Sequence, residues 1–460
     1  MSTVDRSRLP VPGPDPAFRF PAFEQHRLRG GLRVWTVEQR ALPVVSFLVL
    51  VPSGAAADPA GLEGLAALTA DLLDEGSDGR SAIEVQETLA RIGSELDTEV
   101  GPDATLVLLT TLSKHAERAL DVLSGVVTRP ALAEADFSRV RELRLNRLLQ
   151  LRDSPAAVAD HVFLRELFRG HPYGHLSIGT APGLRAAAPA DPVAFHRDRY
   201  GPADTVVIAV GDGRHDRLAR MVENAFGGWL SRRAGGEPGA QAGTSVPGPG
   251  TRPSRRLTVV DRPGGQSEIR IGHVAVERTH PDYHALLVLN VALGGQFVSR
   301  VNMNLRQDKG FTYGARTSFD FRREPGPFAL QAAVHLASTT DAIRESLKEI
   351  DEIRGARPVS ESELVTARAA LTKGYPRNFE TAEQVARALA QIALYGLPDD
   401  SLERFVPAIE SVTASRVTEV ARRHLRPDDL LVTIVGEMAA IGPGLGELGL
   451  GQPAVVPGLD

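Results

Sequence analysis

Two side chains carry the most suggestive chemistry in this 460-residue chain: the guanidinium of Arg306 and, seven residues on, the phenol of Tyr313. Both are fixed hydrogen-bond donors. A peptide carbonyl under nucleophilic attack develops negative charge on oxygen, which such donors stabilise. Spacing alone favours a plainer arrangement, with Arg306 paired to Asp308 or another acid and Tyr313 packed at an interface.

The histidines give two further candidates. His171-Pro-Tyr-Gly-His175 holds two imidazoles, but Pro172 and Gly174 make it a turn rather than a helical ligand pair. His280 and His284 have helical spacing with Pro281 at a first helical position. No Glu lies between them to act as a base, so a metal there is the lesser reading. Glu63 and Glu75 are most simply solvated charges on a helix face. No Lys-Ser/Thr follows Gly294-Gly295, so a phosphate-cradling loop is not supported. The chain has no cysteine, which excludes thiolate nucleophiles, disulfides and cysteine-ligated zinc. A serine hydrolase is poorly supported, because no Gly-x-Ser-x-Gly elbow is present.

The elements that must position these residues form an internal repeat. Leu32–Val37 reads as a strand and is followed by the alternating strand Val44–Val51; Leu257–Val260 and Glu268–Val276 repeat the pattern. Each half then enters a helix, over Gly61–Glu75 and over Pro281–Leu293. The ends match as well: Tyr200-Gly-Pro-Ala-Asp-Thr-Val-Val-Ile-Ala-Val-Gly-Asp212 parallels Leu425-Arg-Pro-Asp-Asp-Leu-Leu-Val-Thr-Ile-Val-Gly-Glu437. Two copies of one domain are the economical reading. Ser81/Glu84, Ser360/Glu363 and Thr381/Gln384 each fit a capping box that starts a helix. Strands alternating with such helices predict layered α+β or α/β units rather than a bundle or a β-sandwich. Arg233–Ser254 is rich in Gly, Pro, Ala and Ser and reads as a flexible linker; a similar tail follows Ile441.

The stretch Leu293-Gly-Gly-Gln-Phe-Val-Ser-Arg-Val-Asn-Met-Asn-Leu-Arg-Gln-Asp-Lys-Gly-Phe-Thr-Tyr-Gly-Ala315 closely resembles the C-terminal-domain signature of insulinase/pitrilysin metallopeptidases. That family includes the mitochondrial processing peptidase and bacterial two-subunit relatives. The resemblance implies that Arg306 and Tyr313 bind substrate, holding its carbonyl opposite a zinc ion. Gln307 stands where many relatives have Glu. It also implies two domains that are each an α/β roll: helices against a mostly antiparallel sheet. Active members carry His-x-x-Glu-His on a helix of the first domain and a third Glu ligand on a later helix. Counting back from Gly76, the first three motif positions hold Ala67, Ala70 and Asp71. Counting back from Asp153-Ser-Pro155 puts Arg147, or Leu148 one place on, where the third metal ligand, the Glu, would sit. No imidazole remains and a lone Asp71 cannot hold catalytic zinc.

The expected organisation is therefore an extension over 1–25, a first domain over 26–232 with a degenerate zinc motif, a linker over 233–254, a second domain over 255–440 carrying the Arg/Tyr pair, and a tail over 441–460. The expected role is the non-catalytic subunit of a heterodimeric zinc peptidase. It has no cofactor of its own, a zinc-bearing homologous partner, and a peptide or unfolded polypeptide as substrate. A non-enzymatic scaffold or peptide-binding homodimer is the alternative. Net charge is only −5 and basic residues are scattered, which argues against nucleic acid. Val44–Val51 is less than half the length a membrane helix needs, and the proline-broken start lacks a signal-type apolar core. A cytoplasmic location is the corresponding expectation.

Overall fold

The computed structural model describes residues 18–28, 30–229 and 256–459; the segment expected as a linker, 233–254, lies outside them. The strands used below are β1 Phe23–Arg27, β2 Arg33–Glu38, β3 Val44–Val51, β4 Leu96–Val100, β5 Thr105–Leu112 and β6 Val206–Gly211 in the first half. The second half holds β7 Leu257–Asp261, β8 Gln266–Val274, β9 Thr312–Phe319, β10 Pro327–His335, β11 Leu431–Gly436 and β12 Ala454–Val455.

They build two six-stranded sheets of order β1-β2-β6-β3-β5-β4 and β9-β10-β8-β11-β7-β12. Read from opposite ends, five strands follow one plan. β2 and β7 lie parallel to β6 and β11, and the remaining three of each sheet continue antiparallel. The repeat seen in the sequence is thus a repeat of topology. Its central strands are continuous apolar runs, as β6 and β11 show by being buried throughout. Strands covered on both faces need such runs.

The sixth strand differs between the halves. In the first sheet β1 pairs antiparallel with β2; in the second β12 pairs parallel with β7. The stretch after Ile441, expected as an unpacked tail, therefore closes the second sheet, and Leu445, Val456 and Leu459 are buried there. Its glycines and prolines suggested a loose segment, but four apolar side chains spaced along it, Leu450 among them, join the buried clusters. Similarly, Phe18 stacks on Phe379 and Phe20 is buried, so part of the expected extension belongs to the packed body.

Five helices matter here: α1 Leu65–Asp71, α2 Glu134–Arg152, α3 Pro155–Leu167, α4 Tyr283–Asn290 and α5 Ala382–Tyr395. α1 is shorter than the expected Gly61–Glu75 because Gly64 precedes it in a left-handed conformation, and α4 is shorter than Pro281–Leu293 because it is capped at Asp282 and leaves α geometry at Val291. Gly64 adopts φ +107°, and a Cβ there would come within 2.9 Å of Gly179. α4 runs into a π-helical turn over Val291–Gly295. All three capping boxes form as the sequence predicts.

α3 and α5 are equivalent in the repeat, and the two halves exchange them. α5 lies on the first sheet: Val385, Ala386 and Leu389 pack with Leu48, Leu50, Val206 and Ile208. α3 lies on the second, where Val158 and Val162 meet Val260 and Val435. Each sheet thus has one face covered by its own half and the other by a helix from the opposite half. Among the described residues one stretch, Tyr283–Asp308, is long and apolar enough to cross a membrane by length and composition; 61% of its most apolar window is buried within the protein.

Candidate functional site

Arg306 sits in a second π-helical turn, Met303–Asp308, that ends at Gly310 with φ +66°. Such turns widen the backbone ring and recur at functional sites. Its guanidinium lies over the Phe297 ring at 4.1 Å from the centroid. No carboxylate of the described residues pairs with it, so the expected plain alternative, an ion pair with Asp308, does not form. Phe297 is 62% exposed and follows the Gly294-Gly295 turn. Gly294 is required by close approach to β9, since a Cβ there would meet the Thr317 backbone nitrogen at 2.6 Å.

Tyr313 lies on β9 in a bulge: the pairing with β10 shifts register between Thr312 and Ala315. The Thr312 hydroxyl donates to the Ala333 carbonyl at 2.6 Å and accepts from the Gly314 amide at 3.1 Å. The extra residue turns Tyr313 outward, and it is 86% exposed. Bulges re-aim side chains in this way. A cavity of about 550 Å³ is lined in part by Gly295, Phe297, Asn302, Gly314 and Ala315, and neither Arg306 nor Tyr313 is among its lining residues. Val298 and Met303 are also exposed nearby in the chain, so the surface combines apolar contact area with unneutralised donors.

The other signature arginine does something else. Arg300 is buried and binds Glu363 at 2.6 and 2.7 Å and the Pro358 carbonyl at 2.9 Å. Burial alone would raise the Glu363 carboxyl, but Arg300 and the Ser360 capping bonds bring it down to about 2. That ion pair roots the segment on which Arg306 stands.

In the first half, Ala67 and Ala70 are buried on α1 and offer no ligand atom. Asp71 Oδ2 accepts from Arg144 Nη1 at 2.5 Å, and Arg144 Nη2 donates to the Ser177 and Ile178 carbonyls at 3.3 and 3.2 Å. The cation that reaches Asp71 is Arg144, a turn before Arg147 on α2. Arg147 is exposed, whereas Arg144 is buried against α1. Leu148, the other position counted for the third ligand, is buried with Leu68 and Leu72; which side chain reaches Asp71 depends on how the two helices cross, which sequence spacing does not report. Residues without imidazole and with an arginine in the centre do not fit a zinc ion.

The remaining candidates are structural. Tyr173 of the His171–His175 turn is buried and donates to Asp103 Oδ1 at 2.5 Å, while Asp103 Oδ2 accepts from the Arg323 amide at 2.8 Å. The turn straps the first half to the second. His280 and His284 do not form a pair: the His284 ring packs near Phe405. His280, Asp282 and His424 form a metal-compatible group among the described residues. However, the Asp282 carboxylate already binds Arg416, Arg423 and His424, and two guanidiniums repel a further cation. Glu63 accepts from the Gly61 amide at 2.8 Å, and Glu75 pairs with Arg139.

Comparison with known proteins bears on this arrangement. Residues 33–181 match the insulinase (peptidase family M16) domain and residues 190–371 the peptidase M16 inactive domain. A protein of Mycobacterium tuberculosis named as an uncharacterized zinc protease is 29% identical over 400 residues, covering 86% of this chain and 90% of the relative. A mitochondrial-processing peptidase subunit beta of Arabidopsis thaliana is 20% identical over 419 residues, covering 89% and 77%. The fold is shared with a solved peptidase M16 inactive domain from Pseudomonas fluorescens, with TM-score 0.82 at 22% identity over 90% of this chain and 98% of that one. A Helicobacter pylori protease superposes with TM-score 0.81 at 18% identity, covering 90% and 99%.

Proposed function

Because the chain belongs to the insulinase-type M16 peptidase family, we propose that it is the zinc-less subunit of a two-subunit peptidase and lends Arg306 and Tyr313 to a catalytic partner. The observation that carries this reading is that both donors are displayed rather than consumed: Arg306 rests on an aromatic face and Tyr313 is 86% exposed. A residue kept only for packing would be buried or salt-bridged. In this division of labour a homologous partner bearing His-x-x-Glu-His supplies the metal and the general-base Glu. This chain supplies donors for the carbonyl oxygen of an extended peptide. Two such chains closing face to face would admit peptides and unfolded segments but not folded proteins.

Co-expression with a His-x-x-Glu-His homologue, followed by size exclusion and a fluorogenic-peptide assay, tests this. The pair should co-elute and cleave, and the isolated chain should be inert. Chelator-sensitive cleavage by the isolated chain would overturn the proposal. A homodimer that binds peptide and confers no cleavage on any such partner would point instead to a scaffold.

A further inference from the structure

Arg306 and Tyr313 stand on different elements, and one buried side chain joins those elements. Asn302 is 5% exposed. Its Nδ2 donates to the Phe297 carbonyl at 2.6 Å, and its Oδ1 accepts from the Ala315 amide at 3.0 Å. Phe297 carries the ring under the Arg306 guanidinium. Ala315 is where β9 regains its pairing after the bulge that displays Tyr313. Asn302 also lies four residues before Arg306, about one helical turn away.

The rings of Phe297 and Tyr313 are 62% and 86% exposed, so core packing does not hold them. Their placement is inherited from the backbone beneath, which this amide fixes on both sides. A side chain of the same size without the amide would leave the Phe297 carbonyl and the Ala315 amide without this shared partner. We propose that Asn302 is a positioning residue for the donor pair, holding the ring that supports Arg306 and the bulge that displays Tyr313 in one fixed relation. This rests on the reading of Arg306 and Tyr313 as substrate-holding donors and names what aligns them.

The test is a double-mutant cycle in the complex with its catalytic partner, using a fluorogenic peptide, together with hydrogen exchange on the isolated chain. Asn302→Leu should lower kcat about 10- to 100-fold with KM nearly constant, because a misplacement of about 1 Å costs on the order of 10²-fold. In an Arg306→Ala/Tyr313→Phe background the same change should cost less than about threefold, since both aligned donors are gone. Asn302→Asp keeps the acceptor for Ala315 but loses the donor for Phe297. It should free the amides of 294–298 to exchange while those of 313–316 stay protected; should Asn302→Leu not fold, it carries the kinetic cycle instead. Wild-type kcat in the substituted complex, or an equal loss with and without the two donors, would overturn the proposal. An inert wild-type complex would remove the parent reading alone. Exchange would then decide: unchanged protection of both segments in the folded Asn302→Leu chain refutes the positioning role, and joint deprotection supports it.

Discussion

Arg144 and Asp71 meet at 2.5 Å between α2 and α1, so a cation belonging to the chain itself faces the helix that carries Ala67, Ala70 and Asp71. The guanidinium is almost buried and also holds two loop carbonyls, at Ser177 and Ile178. It joins α1, α2 and the segment before Thr180, a role that a metal could otherwise serve.

Removing the carboxylate leaves that guanidinium with carbonyls alone. Asp71→Asn should destabilise the chain by about 1–2 kcal/mol, at the low end for a broken buried pair because Asp71 itself is half exposed. Thermal melts of the isolated chain should show this loss and no response to chelator. A chelator-induced fall of several degrees would mean that a structural metal had been overlooked.

Arg306→Ala in the reconstituted complex should lower turnover by on the order of 10²–10³, the usual loss for an oxyanion donor. Tyr313→Phe, which removes only the hydroxyl, should cost about tenfold. Both variants should fold with wild-type melting temperatures, since neither side chain is packed in a core. Undiminished turnover in both would eliminate the donor role.

The exchange of α3 and α5 makes the halves interdependent. Leu389→Ala on α5 should destabilise the molecule by about 2–4 kcal/mol, the cost of a buried leucine cavity, and the loss should be felt in the first half. Calorimetry should show a single main transition for wild type, with hydrogen exchange of β3 and β6 accelerated in the variant. Two independent transitions with β3 unaffected would contradict the coupling.

Acid should unfold the protein through two identifiable groups. Burial and the neighbouring Arg426 pull the His273 imidazole down to about 3. The unfolded chain therefore takes up that proton first, and stability falls as pH drops from about 6.5 toward 3. Glu363, depressed to about 2, contributes stability that is full above its unfolded value and is lost as pH falls toward 2. Melting temperature measured against pH should flatten between 6.5 and 3 in His273→Gln, and an unchanged slope would exclude that group.

Much of this molecule is written locally in its sequence. The strand patterns at Val44–Val51 and Leu257–Val260, the three capping boxes and the repeated Pro-strand-Gly endings all report periodicity or short-range hydrogen bonding. Each formed where its residues placed it. The loss of imidazoles from α1 is likewise visible without coordinates, because an alanine has no ligand atom in any fold.

Tertiary structure alone decided what depends on how elements cross. It put Arg144 rather than Arg147 against Asp71, folded the Gly/Pro-rich end back as a sixth strand, and exchanged equivalent helices between the sheets. It also laid Arg306 on Phe297 and turned Tyr313 outward through a bulge that Asn302 braces. Sequence spacing fixes which residues share a face of one element; which faces meet is set by apolar burial summed over the whole chain.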